Sequence, residues 1–381
     1  MNFKRLPFRH ALAFGVALVC FAATVAHADD DKQLLNLADV PKEERNLLPI
    51  EITWPAPGEA EICLWKDDKL AAFSYTIDDN NAVNINWWLS EAEKRDIKLT
   101  WFLIVDPIGK TNPAMNGNWG DWENVRMAGH AVESHSMTHL IASKDLDSWQ
   151  GIEWEYKDSQ EIIDDNLGEG YKVTTLAYPG GNYPGKNDSS VAAKFYTAAR
   201  GTVGKPNPPQ GVDYLNLNAM SRSNINNENP KAPWSNSENL FDPEKPEYRG
   251  WYIIIYHYVK ENEPDKVAHV QKDLDYGVEH REQLWIGRFN DIAHYSQSRE
   301  TATLAVKESS SQRIVLDLTD RMKDSLYTFP LTVKVHLPKN WKTLKAQQDG
   351  KDLEAKIIEH EGDKYALVDV VPDKGDAVLT P

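Results

Sequence analysis

The chain has 381 residues, 41% hydrophobic and 26% charged, which excludes a disordered polypeptide and suits one large folded domain with a smaller companion. A formal net charge of −16 argues against nucleic acid or an anionic lipid surface as a partner. Neutral or weakly charged glycans fit such a surface better.

Lys4, Arg5 and Arg9 precede an apolar run from Ala11 to Ala26, and Ala26-His27-Ala28 fits a small-x-small cleavage site. These features predict a secretory signal peptide over residues 1–28, and so a periplasmic or extracellular protein that inserts in no membrane after cleavage. A membrane anchor is the alternative, but the run is short of a bilayer span and is followed by Asp29-Asp-Asp-Lys32. Cys20 follows Leu18-Val19 rather than a small residue, which disfavours lipidation. Cleavage removes three basic and no acidic side chains, taking the net charge to −19, and leaves Cys63 without a disulfide partner.

Residues 29–60 read as an acidic, Pro-containing lead-in that packs over the main domain. From 61 to 302, strand-like and amphipathic runs alternate: strand at 70–76, helix at 83–94, strand at 98–105, helix at 122–128 and strand at 130–134. Helix at 148–166, strand at 172–178 and helix at 189–199 follow. After a Pro- and Asn-rich loop at 203–249 come the apolar strand 251–256, helix 265–280, strand 283–286 and helix 291–299. Repeated β then α predicts an α/β parallel sheet or barrel. From 303 to 381, alternating segments such as Arg313-Ile-Val-Leu-Asp-Leu-Thr319 predict a small antiparallel β-sandwich-like domain.

The chemistry gathers at strand ends. Asp78 and Asp79 end the strand-like stretch 71–79, and alternation of side chains along a strand lets one bind metal while the other faces substrate. His135 and His139 stand at i and i+4, the spacing of neighbours on one helical turn, and with one Asp they form a ligand set for a divalent ion that keeps positions open. Ser136 or Thr138 is placed to orient a ligand. Leu176-Ala-Tyr-Pro-Gly-Gly181 is a turn that exposes backbone N–H groups, as an oxyanion site requires. His257 ends the apolar strand, where a lone histidine is more often structural than catalytic.

The order Thr76-Ile-Asp-Asp79, His135-Ser-Met-Thr-His139, Ala177-Tyr-Pro-Gly-Gly181 and Ile255-Tyr-His257 resembles the polysaccharide deacetylase (NodB-homology) family, carbohydrate esterase family 4, over roughly residues 65–300. The resemblance implies a distorted (β/α) barrel of NodB type, with Asp78 as general base and Asp79, His135 and His139 as ligands of a divalent metal, zinc first, with Co2+ or another divalent ion as alternatives. It implies His257 as general acid, the Gly180 backbone N–H as oxyanion donor, and Tyr178 and Pro179 beside the substrate. Ile77 stands for the family's Phe in the first motif. In the third motif Ala177 stands where the family has Arg and Gly180 where it has an aromatic residue; Arg222 is the candidate to replace that Arg in tuning the base. The fourth motif has no clear counterpart near Tyr214–Ala219. Trp119, Trp122 and Trp234 lie in loop-like sequence and are candidates to stack on sugar rings.

These readings converge on an exported, metal-dependent deacetylase that removes N- or O-acetyl groups from an acetylated polysaccharide or oligosaccharide. The alternatives are a carbohydrate-binding protein on the same fold with weakened catalysis, and an amidohydrolase of small molecules.

Overall fold

The computed structural model describes residues 33–140, 149–181, 188–222 and 237–381. The expected signal peptide at 1–28 lies outside the described residues, and no helix among them is long and apolar enough to cross a membrane.

The centre is a curled, all-parallel sheet in the order β6-β5-β4-β3-β2-β8-β7. Its strands are β2 (Ala71–Ile77), β3 (Thr100–Leu103), β4 (Ala131–Ser134), β5 (Thr175–Ala177), β6 (Ala198–Arg200), β7 (Met220–Ser221) and β8 (Trp251–Tyr256); β9 (Leu284–Ile286) pairs with the start of β2. Every residue of β2 and β8 is buried, as strands covered on both faces must be, which is why they read as mostly apolar runs, broken in β2 by Ser74 and Thr76. The helices α1 (Ile85–Arg95), α2 (Trp119–Met127), α3 (Ile152–Asn166), α4 (Pro264–Glu279) and α5 (Phe289–Thr301) are spaced between or after these strands. Each parallel connection therefore returns the chain to the same edge, and the strand C-termini gather at one end of a distorted (β/α) barrel.

Two antiparallel sheets complete the molecule. Their strands are β1 (Ala60–Ile62), β10 (Thr303–Ser309), β11 (Ile314–Thr319), β12 (Leu331–His336), β13 (Lys345–Gln348), β14 (Lys351–Asp352), β15 (Ala355–His360), β16 (Asp363–Val370) and β17 (Ala377–Thr380). One sheet has the order β1-β12-β16-β15, with β1 paired to β12, and the other β10-β11-β17-β13-β14. Strand β1 thus straddles the expected boundary at residue 60 and joins the C-terminal sheets rather than the barrel. One apolar core, including Ile62, Trp285, Phe289, Leu316, Val333 and Val368, runs through these sheets and under the barrel, and a second fills the space around β2, β3 and β8.

The stretch 189–199, expected as one helix, is a short helical turn at Ser189–Ala192 followed by strand β6. Its three residues are too few to show a period of two, so the helical spacing before them dominated the reading.

Candidate active site

Strand β2 is extended past Ile77 by a hydrogen bond from Asp78 N to Tyr256 O (2.9 Å), and then the chain turns sharply. Asp79, Asn80 and Asn81 all adopt left-handed backbone (φ 59°, 59° and 55°), which Asp and Asn tolerate best among residues with a side chain. This is no solvated turn. The Asn80 side chain donates to Ile104 O (3.0 Å) and accepts from Ile104 N (2.8 Å), and the Asn81 amide donates to Asp78 O (2.6 Å). Both asparagines are buried, locking the two carboxylates at the barrel mouth.

His135 follows β4, and its Nδ1 donates to Ala177 O (2.7 Å), which leaves Nε2 bare and aimed at the carboxylates. His135 and His139 do not share a helix, as the spacing suggested. They flank a loop with left-handed backbone at Ser136 (φ 69°) and His139 (φ 61°), yet their ring centroids come within 4.8 Å. The loop is held by Ser136 Oγ accepting from His139 N (3.1 Å) and by Glu155 of α3. The Glu155 carboxylate accepts from Thr138 N (2.9 Å) and from the Thr138 hydroxyl, and its carbonyl accepts from Met137 N (3.1 Å). Ser136 and Thr138 therefore fix the loop that carries the histidines. Glu155 is the anchor that sequence reasoning missed.

The structure brings Asp79, His135, His139 and His257 together. Asp79 Oδ1 lies 3.5 Å from His135 Nε2 and 3.6 Å from His139 Nε2, and Asp79 Oδ2 lies 3.5 Å from His257 Nε2. Burial pushes the Asp79 carboxyl up, but His135, His257 and His139 outweigh it and hold it down at about 2. Burial pulls His135 down, and the nearby Asp78 and Asp79 more than reverse this, raising it; His139 is lowered by burial and by His135. Asp79, His135 and His139 each offer a donor atom within 4.8 Å of the others, and Asp79 Oδ1 is buried with no hydrogen-bond donor. An orphaned carboxylate oxygen facing two bare imidazole nitrogens fits a divalent cation.

Asp78, 3% exposed, stands beside this set with Oδ2 3.8 Å from His135 Nε2. Its Oδ1 is ion-paired with Arg200, the last residue of β6, whose same nitrogen also reaches Thr76 Oγ1 (3.2 Å). Arg200 is fully buried, with its guanidinium 4.6 Å from the Phe102 ring centre. This corrects the expectation for Arg222, which is clamped by Asp273 through two 2.8 Å hydrogen bonds. The only sequence signal for Arg200 is its place at the end of a short run of small residues, Ala198-Ala199, before Gly201.

The remaining candidates divide. Gly180 is exposed and in left-handed backbone (φ 65°), in the turn that begins next to the carbonyl holding His135. Tyr178 does not face substrate: it is 1% exposed, and its hydroxyl donates to Leu215 O (2.9 Å). Pro179 is buried beside it. Trp122 is fully buried in α2 with its indole N–H on Asn116 O (3.1 Å), so it fills space rather than stacks on sugar, and Trp119 packs half-buried against the same core. Trp234 lies outside the described residues.

Comparison with known proteins follows these motifs. Over 370 aligned residues the chain is 36% identical to a gellan lyase from Bacillus sp; the match covers 92% of this chain and 14% of that protein, so the chain spans about one seventh of its relative's length. The Streptococcus pyogenes deacetylase PplD in complex with acetate is similar at 24% identity over 38% of this chain and 62% of that one, with a TM-score of 0.32. A mutant of the Bacillus subtilis peptidoglycan deacetylase PdaC is similar at 14% identity over 58% and 90%, with a TM-score of 0.37. Residues 67–198, which carry Asp78, Asp79, His135, His139 and the Gly180 turn, match the polysaccharide deacetylase family model.

Proposed function

We propose that this protein is an exported, metal-dependent hydrolase that removes acetyl groups from a polysaccharide or oligosaccharide. The observation that carries the reading is the pairing of a three-residue cation site with a separate buried carboxylate, Asp78, held by Arg200. Asp79, His135 and His139 would hold the ion, zinc by their mixed nitrogen and oxygen donors, and a bound divalent ion would supply Lewis acidity and a water of lowered pKa.

The chain's own residues do the rest. Asp78 takes the proton of the attacking water, with Arg200 fixing its carboxylate and balancing its charge. The Gly180 N–H, in the turn after the carbonyl that holds His135, serves as the fixed dipole for the oxyanion. His257, across Asp79 from the other histidines, gives a proton to the departing sugar amine or hydroxyl. The lyase activity in the Bacillus relative's name is not carried over, since the aligned stretch is a small part of that protein.

The test is acetate release by the zinc-loaded protein from acetylated xylan, chitooligosaccharides and peptidoglycan, with and without a chelator. Chelator-sensitive release from one class establishes the reaction and names the glycan. No release from any of them by folded, metal-loaded protein overturns the reading in favour of a binding protein on the same fold.

A further inference from the structure

His257 belongs to two places at once. Its Nε2 is 3.5 Å from Asp79, and its side chain also lines a separate cavity of about 110 Å3 between the end of β8 and the start of α4. Three cations, Arg222, Lys260 and Lys266, line that cavity together with Tyr256 and Tyr258, and among the described residues no carboxylate does. The carboxylates that hold the cations stand behind them. Asp273 clamps Arg222 from α4 and also accepts from the Tyr256 hydroxyl (2.9 Å), and Glu263 takes Lys260 (3.0 Å) and Lys266 (2.7 Å). Among the described residues, the charged side chains that line the cavity are therefore all basic, in a chain whose net charge is −16. Tyr258, 48% exposed, adds an aromatic face at the rim, the kind of surface on which a pyranose ring lies.

We propose that this cavity is a subsite for the carboxylate of an acidic sugar, so that the glycan presented to the Asp78–Asp79 site carries uronic acid next to the acetylated unit. The proposal rests on the deacetylase reading, and it narrows the expectation of neutral glycans. The repulsion implied by the whole-chain charge is reversed locally by three side chains that meet the substrate. A carboxylate and part of a ring match the cavity's size, and a guanidinium flanked by two ammonium groups matches its charge.

Acetylated oligogalacturonides, in which every unit carries a carboxylate, test this when compared as free acids and as methyl esters. The zinc-loaded protein should act on the free acid with kcat/KM about tenfold higher at low ionic strength, and salt should erase the preference. The Lys260→Glu/Lys266→Glu variant should reverse the order; both side chains are nearly half exposed, so folding tolerates the change. Equal rates on the two forms, or a preference for the ester, overturn the proposal. If neither form is turned over, binding of the deacetylated free acid and ester decides. Tighter binding of the acid that the double variant loses keeps the subsite while the deacetylase reading falls. Equal binding, no binding, or free acetate competing as well as the oligosaccharide acid overturns the subsite.

Discussion

Asp78 and Asp79 are chain neighbours with different surroundings, and the roles proposed for them rest on that difference. Asp79 faces three imidazoles, whereas Asp78 is tied to a fully buried arginine. Asp78→Asn should lower kcat about a thousandfold, as loss of a general base does, while zinc content by elemental analysis stays at the wild-type level. Loss of zinc would mean that Asp78 is a ligand instead. Arg200→Met leaves a buried carboxylate without its cation and should cost about 3 kcal/mol in urea unfolding, with a tenfold or larger fall in kcat. The Asp-Asp pair and the two histidines were legible because the chemistry itself limits which residue types can serve. Arg200 was not, because its partner is 122 residues away and only the sheet order makes them neighbours. Arg222 was the wrong candidate for the same reason, since its carboxylate partner is Asp273 and not Asp78.

At the scale of elements, the metal-site loop depends on a helix that contributes no ligand. Glu155 on α3 pins Thr138 and Met137 between the two histidines, so Glu155→Ala should weaken zinc affinity 10–100-fold in a chelator competition while helix content by circular dichroism is kept. The i, i+4 spacing of His135 and His139 suggested a helix because two rings at that spacing meet on one; here left-handed Ser136 and His139 achieve the same meeting in a loop, which sequence spacing alone does not distinguish. A second element stores a pH response. In the turn between β11 (Ile314–Thr319) and β12, burial pushes the Asp320 carboxyl up to about 7, from an ordinary 3.8. The folded state then keeps a proton that the unfolded chain gives up above pH 3.8, so folding is penalised increasingly from about pH 4 to about 7 and constantly above that. Asp320→Asn keeps an acceptor for Met322 N and removes the penalty. Its gain in urea stability should be absent at pH 3.5 and on the order of 2 kcal/mol at pH 8, the figure discounted for the side chain's partial exposure.

On the scale of the whole molecule, the barrel and the antiparallel sheets are difficult to separate. Helix α5 is buried along nearly its whole length although it carries Gln297, Arg299 and Glu300, and each is bonded to a different part of the chain. Gln297 donates to Thr197 O (3.1 Å) in the barrel and accepts from Leu37 N (3.2 Å) in the lead-in. Arg299 donates to Pro209 O (3.0 Å) and to Leu64 O, and Glu300 accepts from Tyr214 (2.6 Å) and pairs with Arg45 (3.3 Å). Lys334 of β12, 1% exposed, pairs with Asp68 (2.7 Å) just before β2, and Tyr295 of α5 donates to Cys63 O (2.8 Å). Composition and alternation revealed two textures along the chain and hence two sets of elements, but these polar ties across a shared core have no local pattern to read. Such a core cannot be opened on one side without exposing apolar surface and unpaired polar groups on the other. Calorimetry of residues 29–381 should therefore give one cooperative transition, with calorimetric and van't Hoff enthalpies in agreement, and residues 61–302 expressed alone should fail to give it. Glu300→Ala, which strands Arg45 and the Tyr214 hydroxyl, should lower that single transition as a whole by about 3 kcal/mol. Two resolved transitions, with only one of them moved by Glu300→Ala, would show instead that α5 belongs to one half and that the C-terminal sheets are a separable module.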